Sequence, residues 1–257
     1  LIARARALPS MAGQDLVQHV APRAPADWTE GFVGLAAEQA RQLPVDRHVV
    51  AIDCGMKRNI LRHLVDIGCR VTIVPPRLSA AAIRDLRPDG IFVSNGPGDP
   101  AAVTYVQETL RELAGGVPIF GICLGHQLLA LALGVDTYKL KFGHHGYNHP
   151  VKNLLTGRVE ITSQNHGFAV RVDRLTAAGL EQTHVNLYDG TVEGFRHREL
   201  PIFAVQYHPE AAPGPHDAGY LFDCFRQMLD TRRPPSADDF AEAQQRHARR
   251  QPTPVAQ

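Results

Sequence analysis

The sequence predicts an α/β fold, a mostly parallel central sheet with helices on both faces joined to a smaller mixed or antiparallel sheet. Three observations carry that expectation. From His48 to Leu133 short apolar runs alternate with helical stripes, as strands buried on both faces and their crossover helices require. The apolar runs end at glycine, proline or a polar residue, where a chain leaves a sheet. After Gly134 the segments become shorter and more polar, with Asp189-Gly190 placed as a hairpin turn.

Residues 1–47 show no clear period and are rich in Ala, Pro and Arg. Met11 to Val17 is expected as a short helix and Trp28 to Gly34 as a short strand, within a linker or the remnant of a preceding domain. A beginning at Leu1 rather than Met fits a fragment or a processed product. His48–Asp53 is a continuous apolar run expected as a central strand, and Lys57–Ile67 carries a helical stripe closed by Gly68. Val71–Val74 is the next strand. Ser79 is placed to cap a helix over Ala80–Leu86. Gly90–Ser94, the helix Ala102–Ala114, Val117–Ile122 and the helix Leu124–Leu133 complete two further repeats of the pattern. Thr137–Lys141, Arg158–Thr162, Glu181–Leu187 and Thr191–His197 are shorter strands, Ile202–Tyr207 returns to the apolar pattern, and His216–Asp230 is a closing helix. The stretch 231–257 is expected as a flexible tail. The compact domain is therefore placed at 48–230.

The composition excludes several classes of function. The chain of 257 residues is 44% hydrophobic and 21% charged, an ordinary globular balance. A net charge of +1 gives no electrostatic case for nucleic acid or an anionic membrane. Four scattered cysteines, without metal-type spacing, fit a reducing cytoplasm rather than a disulfide framework. No apolar run is long enough to span a bilayer.

Gly121-Ile122-Cys123-Leu124-Gly125 places a cysteine between two glycines at a strand-to-helix turn. Glycines at those positions suit a tight elbow that lifts the reactive atom clear of the sheet and aims the positive end of the next helix at it. Taken alone, the motif fits a buried strand cysteine at an ordinary turn equally well. His208-Pro209-Glu210 follows an apolar strand, and in an extended chain His208 and Glu210 face the same side. A histidine oriented by a carboxylate is what a cysteine nucleophile needs, although the tripeptide by itself also suits a surface loop. In Ser94 to Pro100 glycines flank Pro97, and backbone N–H groups of Gly98 and Leu124 could hold a developing oxyanion. Gln164 to Phe168, between strand-like segments, suits recognition of a small zwitterion or a plain turn. Phe142 to Pro150 is rich in histidine, but without an accompanying Cys or acidic set a structural loop is favoured and no metal site is expected. Cys54, Cys69 and Cys224 are placed in the core.

Together Gly121–Gln127, His208-Pro209-Glu210 and the Gly96–Asp99 loop resemble the class I, triad-type glutamine amidotransferases. Within them, Lys141–Gly146, Gln164–Phe168, Asp53–Leu61 and Pro213–Asp217 resemble the glutamine-hydrolysing small subunit of carbamoyl phosphate synthetase. The resemblance runs from about residue 1 to about residue 230. It implies Cys123 as nucleophile, His208 as general base and acid, and Glu210 as its orienter. It also implies glutamine contacts at Gly96, Gly98, Leu124, Gln127, Asn165, Gly167 and Phe168, with the oxyanion hole at Gly98 and Leu124. It implies a cytoplasmic enzyme that releases ammonia for a large subunit, which binds ATP and Mg and uses bicarbonate in arginine and pyrimidine biosynthesis. No cofactor is expected on this chain. The family's small subunits carry a further N-terminal domain that contributes a serine to the glutamine site, and residues 1–47 resemble only its end. Alternative readings are the amidotransferase part of another synthetase, such as those making GMP or anthranilate, a stand-alone amidase or peptidase, and a non-catalytic docking subunit.

Overall fold

A computed structural model describes residues 1–32, 40–41 and 43–250. The expected strand residues 33–34 and the end of the expected tail, 251–257, lie outside the described residues. A single ten-stranded sheet organises the rest, in the order β1-β3-β2-β4-β5-β10-β9-β8-β6-β7. Its strands are β1 (Ala26–Trp28), β2 (Arg47–Ile52), β3 (Cys69–Val74), β4 (Gly90–Val93), β5 (Ile119–Ile122), β6 (Thr137–Asn153), β7 (Val159–Val170), β8 (Leu180–Asn186), β9 (Val192–His197) and β10 (Ile202–Val205). Strands β3, β2, β4, β5 and β10 pair in parallel, and β9, β8, β6 and β7 continue the same sheet antiparallel. The expected smaller sheet is thus an extension of the central one, because β10 pairs with β5 on one side and β9 on the other.

The apolar runs of β4, β5 and β10 are buried along their whole length, because helices cover both faces. On one face pack α4 (Ala80–Asp85), α5 (Thr104–Leu113) and α6 (Leu124–Ala132), through Ile83, Val106, Leu110 and Leu128. On the other pack α3 (Arg58–Asp66), α7 (Leu221–Thr231) and α8 (Ala237–Arg250), through Ile60, Leu64, Phe222, Phe225 and Phe240. The Ser79 hydroxyl accepts from the Ala82 N–H at 3.2 Å and caps α4, as the sequence predicts.

Four local expectations are corrected. The N-terminal segment is more than a linker: α1 (Ile2–Ala7) and α2 (Val17–Val20) precede β1, which pairs antiparallel with β3. The helix begins at Val17 instead of ending there, and the strand ends at Trp28 instead of beginning there. Phe142–Pro150 lies within the long strand β6, whose register shifts between Lys139/His144 and Gly146/His149 absorb the turn-forming Gly143 and Gly146. Gln164–Phe168 lies inside β7, with Gln164, His166 and Phe168 buried and Asn165 exposed. That alternation has period two, but polar residues occupy the inner face, so hydropathy does not reveal it. Finally, 237–250 forms α8. Ser236 and Asp239 form a reciprocal cap, Asp239 N–H to Ser236 Oγ at 3.2 Å and Ser236 N–H to Asp239 Oδ2 at 2.7 Å. Phe240 is fully buried, which is why the segment packs despite its arginines.

Helix α8 also touches a buried acid. The Gln244 amide donates to Glu160 Oε1 at 3.0 Å and the Tyr207 hydroxyl to Oε2 at 3.4 Å. Burial pushes the Glu160 carboxyl up to about 7, against the hydrogen bonds that favour its charged form. Between its unfolded value, 4.5, and about 7 the folded chain holds the proton that the unfolded chain has lost. Stability therefore falls as pH rises through that window. Glu160→Gln is expected to flatten this fall, which the acid makes on the order of 3 kcal/mol across the window. Urea unfolding at pH 5 and pH 8 checks it, and equal pH dependence in both proteins would remove Glu160 as the cause.

Candidate active site

The site forms where β5 hands over to α6. The Cys123 N–H donates to the Val205 carbonyl at 2.9 Å, carrying the sheet's hydrogen bonding one residue past β5. The backbone then turns sharply, with Cys123 at φ 57° and ψ −104°, and α6 begins at Leu124. A non-glycine residue held there stores strain of about 1–3 kcal/mol, which surrounding packing must over-determine. The flanking glycines are that packing. A Cβ on Gly125 would collide with the Val93 carbonyl oxygen, and one on Gly121 would lie 2.7 Å from Leu129 Cδ1. The elbow therefore seats α6 against the ends of β4 and β5 while holding the thiol at the carboxyl edge. The Cys123 side chain is 5% exposed, with Sγ 3.9 Å from the Asn165 carbonyl oxygen.

Across from it, just past the end of β10, His208 lines the same cavity as Cys123. Its backbone N–H donates to the Ser163 carbonyl of β7 at 2.9 Å, and its Nδ1 lies 2.7 Å from Glu210 Oε1. Glu210 is fully buried, and Lys57 Nζ approaches the same oxygen at 3.0 Å. The Asn59 side-chain amide donates to the Glu210 carbonyl oxygen, fixing the turn from the side of α3. Burial opposes a charged imidazole, but Glu210 and Cys123 outweigh it and raise His208 to about 10. Burial likewise pushes the Glu210 carboxyl up, and His208 with Lys57 overcomes it and holds the group below its usual range. The pair is thus a buried imidazolium–carboxylate beside the Cys123 sulfur.

The loop Gly96–Asp99 closes a third side. Gly98 adopts φ +96°, and a Cβ there would meet the Gln14 carbonyl oxygen at 2.7 Å. Asp99 N–H donates to that same oxygen at 3.0 Å, while Asp99 Oδ2 accepts from the Gly13 N–H at 2.8 Å. Residues 13–16, expected as linker, therefore buttress the loop that presents the Gly98 N–H.

These elements enclose a cavity of about 420 Å³. Cys123, His208, Gly96, Gly98, Gln127, Asn165, Gly167 and Phe168 all line it, and Glu210 stands behind His208. Leu124 packs its side chain into the core, so only its backbone is placed to serve the site. Gln127 is held by its own bonds, donating to the Phe168 carbonyl at 2.9 Å and to Gln206 Oε1 at 2.8 Å. Sequence reasoning did not single out Met11, Lys57, Lys139 and His145, which also line the cavity. Lys57, just past β2 beside Gly55, carried the one available signal, a cation at a parallel strand's carboxyl end. Lys139 lies 5.5 Å from the Phe168 ring centroid, a cation–π contact set by the β6–β7 register. A cysteine and a histidine backed by a buried carboxylate, set around one cavity beside a glycine loop, form an arrangement of the kind acyl transfer uses.

The family model described as glutamine amidotransferase class-I matches residues 50–228. The carbamoyl phosphate synthase small chain of Syntrophotalea carbinolica is 55% identical over 234 residues, covering 91% of this chain and 62% of the relative. That of Chlorobaculum tepidum is 57% identical over 238 residues, covering 90% of this chain and 60% of the relative. The chain thus spans about 60% of the length of these curated relatives. Among solved structures, a putative GMP synthase protein from Thermoplasma acidophilum superposes with a TM-score of 0.60 at 22% identity, covering 72% of this chain and 94% of that one. A glutamine amidotransferase from Thermotoga maritima gives 0.52 at 14% identity, covering 79% and 90%. At these identities the two structures speak for the fold alone.

Proposed function

The chain belongs to the class-I glutamine amidotransferase family, and from that membership we propose that it is the glutamine-hydrolysing part of a carbamoyl phosphate synthase. The observation that carries the proposal is the convergence of Cys123, His208 and Glu210 on one cavity, in a chain so similar to small chains of that synthase.

In the proposed reaction the Cys123 sulfur, its proton already on His208, attacks the side-chain carboxamide carbon of glutamine. The carbonyl oxygen takes the negative charge and is held by the N–H groups of Gly98 and Leu124. His208 gives its proton to the departing nitrogen, and ammonia leaves as the C–N bond breaks. His208, now neutral, takes a proton from water, which attacks the glutamyl thioester; the C–S bond breaks, glutamate leaves, and His208 again carries the proton beside the free Cys123 sulfur. Glu210 keeps the imidazole ring oriented through both halves. Gly96, Gln127, Asn165, Gly167 and Phe168 form the glutamine contacts. No cofactor is needed for these steps. Ammonia passes to a large subunit, where ATP, Mg and bicarbonate are used to make carbamoyl phosphate for arginine and pyrimidine synthesis. A cytoplasmic location fits this role. Among the described residues no helix is long and apolar enough to cross a membrane.

The test is glutamate release from glutamine by the purified chain, with and without a carbamoyl phosphate synthase large subunit. Low basal release that rises on adding the large subunit is expected. High release indifferent to the large subunit would instead identify a stand-alone amidase.

A further inference from the structure

A second cluster lies in the antiparallel part of the sheet, behind the glutamine cavity. His166 on β7 donates from Nδ1 to the Phe168 carbonyl oxygen at 2.8 Å. The neutral ring therefore offers Nε2 as a lone pair. Gln164 Oε1 faces that nitrogen at 2.9 Å, one acceptor opposite another. Gln164 is not free to turn its amide round, because its Nε2 donates to Glu193 Oε2 at 2.9 Å and to Thr162 Oγ1 at 3.1 Å. On β6, His144 Nε2 lies 2.8 Å from Asp189 Oδ2, so a proton held there would leave Nδ1 facing the cluster as a second ligand atom. His144 Nδ1 stands 3.2 Å from His166 Nε2 and 3.3 Å from Glu193 Oε1. The ligand atoms of His144, His166 and Glu193 all lie within 4.8 Å of one another, and all three residues are buried.

We propose that His144, His166 and Glu193 form a binding site for a divalent metal of the zinc type, with Gln164 Oε1 beside them. Two ligands bound about 2.0–2.1 Å from a tetrahedral zinc stand roughly 3.3 Å apart, which the two short spacings match. Each imidazole has its other nitrogen held by an oxygen, from Phe168 and Asp189, the outer arrangement that fixes tautomer and aims the free nitrogen at a metal. Asn186 Nδ2 steadies Glu193 Oε1 at 2.9 Å. Two imidazoles and one carboxylate favour zinc over magnesium or calcium, which prefer all-oxygen sets. The ligands come from β6, β7 and β9, so no local sequence spacing announces them, and the histidine-rich stretch 142–150 supplies only one. His166 lies between Asn165 and Gly167 of the glutamine cavity. A bound metal would thereby tie β7 down where the Asn165 carbonyl faces the Cys123 thiol.

The experiment titrates chelator-stripped protein with zinc by calorimetry, using Cys123→Ser so that the catalytic thiol cannot supply a ligand. One zinc per chain is expected, with affinity at least about tenfold weaker in both His144→Ala and Glu193→Gln made in that background. Cobalt bound to Cys123→Ser should show tetrahedral d–d bands without thiolate charge transfer, a readout that does not depend on either variant folding. Absence of zinc binding by Cys123→Ser, or binding unaltered in both variants, overturns the proposal. The cluster is then a His144 imidazolium held between Asp189 and Glu193.

Discussion

Cys123→Ser is expected to lower glutamate release from glutamine by about four orders of magnitude or more, since loss of a nucleophile in a triad removes most of its catalysis. The substitution keeps the backbone elbow, because serine has the same Cβ and tolerates the φ of 57° no worse than cysteine. It removes a polarisable sulfur that His208 activates and substitutes a hydroxyl whose proton is far harder to withdraw. At 5% exposure, with the sulfur 3.9 Å from the Asn165 carbonyl oxygen, the slightly smaller oxygen costs little packing. Thermal stability should therefore change by less than about 1 kcal/mol. Wild-type protein quenched in acid during turnover should also carry a glutamyl adduct on the Cys123 peptide by mass spectrometry, and the variant none. Residual activity within tenfold of wild type would sink Cys123 as the nucleophile.

The central sheet was legible because β4, β5 and β10, and β2 from Val49 on, are buried on both faces and so read as continuous apolar runs in the sequence. The elbow was legible because its glycines obey a steric rule, and the structure gives the colliding atoms at Gly121 and Gly125. What hid itself was polar and non-local. β7 buries Gln164 and His166, so its alternation carries no hydropathy signal. Glu193 meets His144 only because β8 places β9 near β6. The N-terminal segment has no core of its own, yet Gln14 and Gly13 hold the Asp99 end of the Gly96–Asp99 loop, with 86 residues separating Gly13 from Asp99. Helix α8 was missed although Ser236 and Asp239 spell a capping pair, because the surrounding arginines and prolines outweighed one buried Phe240.

Glu210→Gln is the second large effect. The amide is nearly isosteric and still reaches His208, but it removes the charge that, with Cys123, offsets burial of the imidazolium. It also permits the wrong ring orientation, since an amide can donate to Nδ1 as readily as accept from it. By the triad logic kcat should fall about 10²- to 10⁴-fold, with little change in KM, because Glu210 lies behind His208 and does not line the cavity. The pH profile separates orientation and charge from mere structure. His208 is raised above 6.5 by Glu210 and Cys123, so the charged ring is lost as pH rises through its folded value. Without Glu210 that loss comes earlier, and the alkaline limb of kcat should move to lower pH. Stability carries the opposite sign. Glu210 is held below 4.5, so its contribution is present above that value and disappears as pH falls through its folded value. The variant should thus be less stable by about 3 kcal/mol at pH 7, part of it returned because Lys57, 34% exposed, can turn to water, and the difference should close toward acid pH. A fall in kcat with an unmoved alkaline limb would assign Glu210 a packing role and leave the orientation of His208 to the Ser163 carbonyl and the turn held by Asn59.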